Sequence, residues 1–553
     1  MRHFLVCFFL GSTVVSAAQQ LPDSATNMVV KRNESKEFTF SLKKGYVLKA
    51  TVMQKGIDVE VIIHKATDTA RLFYKDSPNG DSGPEPVVFE SPVTATYVLV
   101  VRPFIENVVD QGIFSIRKDA VLSPAAMKKE AVIRQQEETD FVQWLTANSS
   151  TIKYVDPGNE FADLQPLKTI LKEVQVVGLG ESSHGTSEFF RMKHRLLEFL
   201  VIEMGYRSFY IEASMSRCRY VNEYVLYGKG DLDTATVMQG FITWRVEEFR
   251  NMLQWMRQYN SSVTEERKVK FVGYDLQVND QAWKELSAFY KIIKPSFSTQ
   301  LDSMEKQSQQ ASNLSNNFAD SLQQKGRQLY RALNKECSAL LQELVMNAGQ
   351  YQLLTNEALY HRNWQNLRLI IQETETFMET FNSNRRDYYM AENILELLQN
   401  EPAGTKVVVW AHNAHISKVN TPVYHTMGHW LDSVLKKKYY ALGFEFYSGN
   451  FQTRNLDTRN WSRDWDVMSS GEPTARSLPW YLDKTGKENL LLDLRNTGME
   501  KIKLAATDLD MHSFGSMYSV SQPAMFPGSL SVFDGILYIK RSTAAKNFKK
   551  FYL

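Results

Sequence analysis

Val176-Val177-Gly178-Leu179-Gly180-Glu181-Ser182-Ser183-His184-Gly185 runs from a short apolar stretch straight into a carboxylate, two hydroxyls and an imidazole. It reads as a buried strand that empties into a polar loop. Behind it, Phe189, Met192, Leu196, Leu197, Leu200, Val201 and Met204 recur at helical spacing up to Gly205, so the loop joins the carboxyl end of a strand to the amino end of a helix. In an α/β sheet that is where ligands bind. On the same helix Lys193 falls inside the apolar stripe, whereas Arg191 and Arg195 fall on the other side. A lysine there either bends out to solvent or is paired in the interior, and Glu181 is the nearby carboxylate.

Working downstream, short apolar runs alternate with helical stretches. Strands are expected at Gln175–Gly178, Ser208–Ile211, Val269–Gly273, Lys406–Trp410, Tyr439–Phe444, Leu490–Leu494 and Ile536–Lys540, as in a largely parallel sheet with helices on its faces. Between 281 and 400 the strands stop. Leu329, Leu333, Leu340, Leu341 and Leu344 keep helical spacing there, which predicts a helical insertion, either a lid over the sheet's carboxyl end or a layer that packs the sheet. The hydrolytic α/β domain so defined spans 150–545.

Upstream, residues 119–149 read as a helical linker opened by Pro124, and 26–118 as a small all-β sandwich. Its strands show in the period-two runs Phe38, Phe40, Leu42; Tyr46, Leu48, Ala50, Val52; Val59, Val61, Ile63; and Tyr97, Leu99, Val101, broken by Lys43-Lys44-Gly45, Lys55-Gly56 and the Gly/Pro-rich Ser77 to Pro86. No catalytic cluster stands out in it. At the amino end, Arg2 and His3 precede the apolar segment Phe4 to Val15, and Ser16-Ala17-Ala18 supplies the small residues of a cleavage site. Residues 1–18 therefore read as a secretory signal, and the mature protein as exported.

The chain's 553 residues exceed one hydrophobic core and predict two to four domains. A formal net charge of +2 without basic runs gives no reason to expect nucleic acid as a partner. No later segment is long and apolar enough to anchor in a bilayer. Cys7 leaves with the signal, and Cys218 and Cys337 do not make a disulfide framework. Oligomeric state is not readable from the chain.

The residues that close each expected strand form a pattern. They are Glu181 and His184, then Glu212, Asp275, His412 and His415, and Glu445. In a parallel sheet they converge on one edge, and together they suit addition of water to a carbonyl. A histidine can take the proton from water while a carboxylate on its other nitrogen fixes the tautomer. A lysine or second histidine can meet the oxyanion. The arrangement requires His184 to lie within about 12 Å of Glu212 or His412, because productive contacts are about 3 Å. Two rivals use the same residues. Ser182 and Ser183 lack the full frame of a nucleophile elbow. His184, His412 and His415 could hold a divalent metal, which a buried Lys193 would oppose.

Several separated motifs occur in the order found in one family. Gly180-Glu181-Ser182-Ser183-His184-Gly185, Lys193-His194-Arg195, Glu212, Trp244 to Glu248, Arg386-Asp387-Tyr388-Tyr389-Met390-Ala391, Trp410-Ala411-His412-Asn413-Ala414-His415 and Met427-Gly428 resemble those of the erythromycin esterases. The resemblance covers residues 130 to 541. It implies hydrolysis of a small-molecule ester or macrolide lactone without metal, cofactor or covalent intermediate. On that likeness His184 is the general base, Glu181 and Glu212 orient it, and His412 and His415 position water or polarise the ester. Lys193 stands where members of the family can have arginine, which keeps the charge and loses the planar fork. Arg195, Arg386 and Asp387 match motif positions that suit either substrate binding or structure, with Arg386 and Asp387 as a salt bridge holding the lid. The alternatives are a metal-dependent hydrolase and a non-catalytic binding protein on the same scaffold.

Overall fold

The computed structural model describes residues 14–15 and 18–548, apart from 78–80, 105–108, 318, 380–382, 423, 458–464, 496 and 521–524. The expected signal segment therefore lies almost wholly outside the described residues. The chain divides into two compact units, 1–138 and 139–553, and the boundary falls inside the helix Pro124–Asn148.

In the first unit two largely antiparallel sheets share one core, as a small β-sandwich; the two-residue strands Val14–Val15 and Gln19–Gln20 add to one of them, in parallel with Glu34–Leu42. One orders Glu34–Leu42, Ala95–Pro103, Val59–Lys65 and Asp68–Lys75; the other orders Ser24–Lys31, Gln111–Leu122, Val47–Lys55 and Ser82–Glu90. Phe38, Phe40, Leu48, Val52, Val61, Ile63, Phe89, Tyr97, Leu99 and Phe114 fill the space between them. The Gly/Pro-rich stretch read as a break carries the start of a strand, Ser82–Glu90. Among the described residues that strand pairs only with Val47–Lys55, placing Pro84 opposite Met53 and Pro86 opposite Thr51. An edge position tolerates prolines because one side of the ladder needs no donor.

The second unit is built on the strand Val176–Leu179, whose four residues are all buried. It lies between Val407–Trp410 and Tyr439–Asn455, parallel to both. The sheet runs, edge to edge, Lys270–Asp275, Ser208–Ser214, Val407–Trp410, Val176–Leu179, Tyr439–Asn455, Gly535–Ser542, Asn489–Asp493 and Ser149–Thr151. The first six are mutually parallel, Asn489–Asp493 runs against them, and Ser149–Thr151, antiparallel to that strand, runs with them again. Central strands buried on both faces read as continuous apolar runs, which is why they stood out in the sequence. Two details matter for the site. The register between Ser208–Ser214 and Lys270–Asp275 slips between Ile211 and Ser214, a bulge that contains Glu212. Tyr439–Asn455 continues eleven residues past the expected end at Phe444, so Glu445 lies within a strand.

Among the described residues six α-helices separate Lys270–Asp275 from Val407–Trp410: Asp280–Ile293, Ser298–Ser315, Asp320–Met346, Ala348–Leu354, Glu357–Phe377 and Ser383–Gln399. Their body has its own core, with Trp283, Phe289, Tyr330, Leu333, Leu344 and Ile370. The last helix differs. Met390, Ala391 and Ile394 pack into the sheet's core, and Asn393 Nδ2 donates to the Tyr274 carbonyl at 3.1 Å. This helix carries Arg386 and Asp387.

Candidate active site

The loop after Val176–Leu179 brings Glu181 and His184 together before the helix Ser187–Met204 begins. His184 Nδ1–H donates to Glu181 Oε1 at 2.6 Å, which leaves Nε2 as the basic nitrogen. The second oxygen of Glu181 accepts from Lys193 Nζ at 2.6 Å and from Trp410 Nε1–H at 2.9 Å. Lys193 is paired in the interior, with its ammonium 4.1 Å from the centroid of the Trp410 ring. Burial alone would raise the pKa of Glu181. The Lys193 charge and the hydrogen bond and charge of His184 outweigh it and hold Glu181 below the usual carboxylate range. Burial lowers Lys193 to about 8, with Glu181 opposing.

His184 lies with its ring centroid 5.0 Å from that of His412 and 5.8 Å from Trp244, so the spatial requirement set by the sequence is met. The ring faces a cavity of about 280 Å³. Glu212, Arg386, His412 and His415 line its polar side; Phe241, Thr243, Trp244 and Gln277 line another; Gly515 and Ser516 complete the wall.

Across the cavity Arg386 is the hub. Its Nη2 donates to Asp275 Oδ2 at 2.6 Å and to Glu212 Oε1 at 2.8 Å, its Nε reaches Asp275 Oδ1 at 3.3 Å, and its Nη1 lies 3.1 Å from His415 Nε2. Glu212 Oε2 accepts the backbone N–H of His412 at 3.1 Å. Burial raises Glu212, but His415, Arg386 and His184 outweigh it and keep it ionised far into acid. His415 Nδ1–H goes to Asp387, whose other oxygen accepts from Tyr424 Oη at 2.8 Å. The Nε2 of His415 is also 3.4 Å from Glu212 Oε1. The shorter contact is one that a neutral ring accepts from arginine; protonation would turn Nε2–H toward Glu212. Burial opposes the charged form, yet Asp387 and Glu212 raise the pKa of His415 above the ordinary histidine value.

Several sequence readings change in detail. Glu181, not Glu212, holds the imidazole of His184. Lys193 is fully buried behind Glu181 and does not line the cavity, so an oxyanion there is out of its reach. Arg386 and Asp387 meet site residues instead of forming a salt bridge with each other. Both ring nitrogens of His412 are engaged: Nδ1 accepts from the Ala414 N–H at 3.2 Å, and Nε2 lies 3.1 Å from the Phe514 carbonyl. Ser182 and Ser183 are buried and outside the cavity lining.

Arg195 and Glu445 neither line the cavity nor bond to a residue that does. Arg195 does face away, as the helical spacing predicts, yet it is fully buried, because its helix is covered on nearly every side. It pairs with Asp163 at 2.5 Å and donates to the Tyr154 carbonyl at 2.6 Å. Glu445 binds His512 Nδ1 at 2.7 Å and the His512 backbone N–H at 3.0 Å. Phe241, Thr243, Gln277, Gly515 and Ser516 carried no signal in the sequence, since each comes from a connection without periodicity. Trp410 stood in a quoted motif without a role.

Among the described residues no group of three or more His, Cys, Asp or Glu is arranged to hold a metal ion, and no helix is long and apolar enough to cross a membrane.

Comparison with known proteins agrees with this architecture. The chain is 25% identical over 440 residues to "Erythromycin esterase type II" of Escherichia coli, covering 73% of this chain and 99% of that one. It superposes on the crystal structure of a succinoglycan biosynthesis protein with a TM-score of 0.61 at 23% identity, covering 74% of this chain and 99% of the other. A mutant of the erythromycin esterase EreC in its open conformation gives 0.55 at 17% identity, covering 72% and 99%. These two share the fold. The family model described as Erythromycin esterase matches residues 201–542, beginning in the last turn of the helix that carries Lys193. With the matched region spanning most of the second unit's sheet, the chain belongs to the erythromycin esterase family.

Proposed function

We propose that this protein hydrolyses a carboxylic ester or lactone with water activated by His184. The observation that carries the reading is the Glu181–His184 pair, with one imidazole nitrogen fixed by a buried carboxylate on a ring that lines a cavity. Water gives a proton to His184 Nε2 as its oxygen bonds to the acyl carbon. Arg386, which lines the cavity with a guanidinium, meets the oxygen that gains charge. Collapse of the tetrahedral intermediate breaks the acyl–oxygen bond, and His184 returns the proton to the departing alkoxide. No covalent acyl-enzyme and no metal is needed in this sequence. A cavity of about 280 Å³ is at the small end for an organic ligand, so it takes the ester group of a larger molecule and leaves the remainder outside.

A macrolide lactone is the first substrate class to try, given the name of the Escherichia coli relative. Incubation in ¹⁸O-labelled water should give ring-opened macrolides heavier by one water, or acid and alcohol from simple esters, with the label in the new carboxylate. His184→Ala should lower turnover by about 10²-fold or more. Chelation should leave the rate unchanged. A ligand-binding protein would keep its affinity in His184→Ala and never incorporate the label. Export is part of the proposal, resting on Phe4 to Ala18, and predicts a mature chain beginning near Gln19 on amino-terminal sequencing.

A further inference from the structure

Glu445 is a carboxylate in the middle of a central strand, and its partner His512 is buried with it. Such a pair is costly unless both groups are satisfied. They are: Glu445 Oε1 accepts His512 Nδ1–H and the Phe446 N–H at 2.8 Å, Oε2 accepts the His512 backbone N–H, and His512 Nε2 lies 3.3 Å from Ser470 Oγ. The imidazole is stacked on Phe446 with centroids 4.5 Å apart and the rings nearly parallel. One carboxylate thus fixes both the backbone and the side chain of His512.

Two residues on is Phe514, which joins this pair to the cavity. Its N–H donates to the Ser182 carbonyl at 2.6 Å, and its ring stacks on Phe451 at 4.3 Å and on His512 at 5.3 Å. Its carbonyl faces His412 Nε2. Because Nδ1 of His412 already accepts from the Ala414 N–H, the proton of that ring must sit on Nε2 and point at Phe514. Gly515 and Ser516, next in the chain, form part of the cavity wall.

We propose that Glu445 and His512 are positioning residues for the reaction: they hold the Phe514 carbonyl where it locks the tautomer and ring orientation of His412. The lock keeps His412 from offering a lone pair to the cavity. Water then has a single basic nitrogen to meet, His184 Nε2. With the lock loosened, His412 turns, its Nε2 competes for the same water, and the wall at Gly515 and Ser516 shifts. Only the turnover readout of this inference rests on the ester-hydrolase reading.

The test compares Glu445→Gln, Glu445→Ala and His512→Phe in the full chain, with ¹⁵N-labelled histidine and the His412 signal assigned by its loss in His412→Gln. In the parent protein His412 should show a proton on Nε2 that is protected from exchange. In Glu445→Ala and His512→Phe that signal should disappear or exchange rapidly, with kcat lower by about 10- to 100-fold and KM within about threefold. Glu445→Gln, which keeps the shape and loses one acceptor, should fall between, and it decides the question if the larger changes do not fold. An unchanged His412 signal, or an unchanged kcat, in folded variants overturns the proposal. Should the parent protein turn over no ester at all, the hydrolase reading fails, and the His412 signal still decides this one by itself.

Discussion

Lys193 has no exposed surface, and a buried ammonium is sustained only by specific partners. Here they are a carboxylate at 2.6 Å and an indole face at 4.1 Å. Since burial brings Lys193 down to about 8, its charge is lost just above neutrality, and Glu181 then loses the cation beside it. Activity is expected to decline above about pH 8, and Lys193→Arg, which stays charged, should move that alkaline limb upward. A pH profile of kcat/KM for the two proteins checks this. Gly180 is a second point of constraint. A Cβ there would lie 2.1 Å from Asn413 Oδ1, the atom that accepts the Phe444 N–H. Gly180→Ala should therefore cost about 1–3 kcal/mol in urea unfolding and displace the loop that carries Glu181.

At the scale of elements, the helix Ser383–Gln399 decides how the second half of the site is assembled. One guanidinium on its first turns bridges Asp275, Glu212 and His415, which come from three different strand ends. Arg386→Lys keeps the charge but cannot span that fork, and kcat/KM is expected to fall about 10²- to 10³-fold in steady-state assays, with little change in far-UV circular dichroism. The legibility of each element followed its surroundings. Val176–Leu179 and Val407–Trp410 were plain because both faces are buried. Asp68–Lys75 was not, because most of its residues face solvent and show no alternation. Glu445 looked like a strand's end, since a carboxylate seldom sits inside a central strand; His512, 67 residues away, satisfies it there from ring and backbone alike. The strand-end residues were read as one cluster, and Glu181, Glu212, Asp275, His184, His412 and His415 do lie together. Their division of labour was not legible, because it depends on which atom of each meets which partner. The bulge at Ile211–Ser214 that aims Glu212 leaves no mark in composition.

For the whole molecule, the buried histidines set how it withstands acid. Burial lowers His194 and, with the charges of His184 and His415 adding to it, His412, each to about 3 from an ordinary 6.5. Between those values the unfolded chain binds protons that the folded one refuses, so stability falls as pH drops from 6.5 toward 3. At pH 5 each group costs roughly 2 kcal/mol. His415, whose pKa is raised, acts in the opposite direction: its contribution is fully present below pH 6.5 and is lost as pH rises through its folded value. Two lowered histidines outweigh one raised, so the urea midpoint should fall between pH 7 and pH 4.5, and His194→Gln should flatten that slope. The helices from Asp280 to Phe377 close a core of their own, while Ser383–Gln399 belongs to the sheet. In calorimetry the bundle should consequently melt as a cooperative block of its own, with the arginine helix melting together with the sheet.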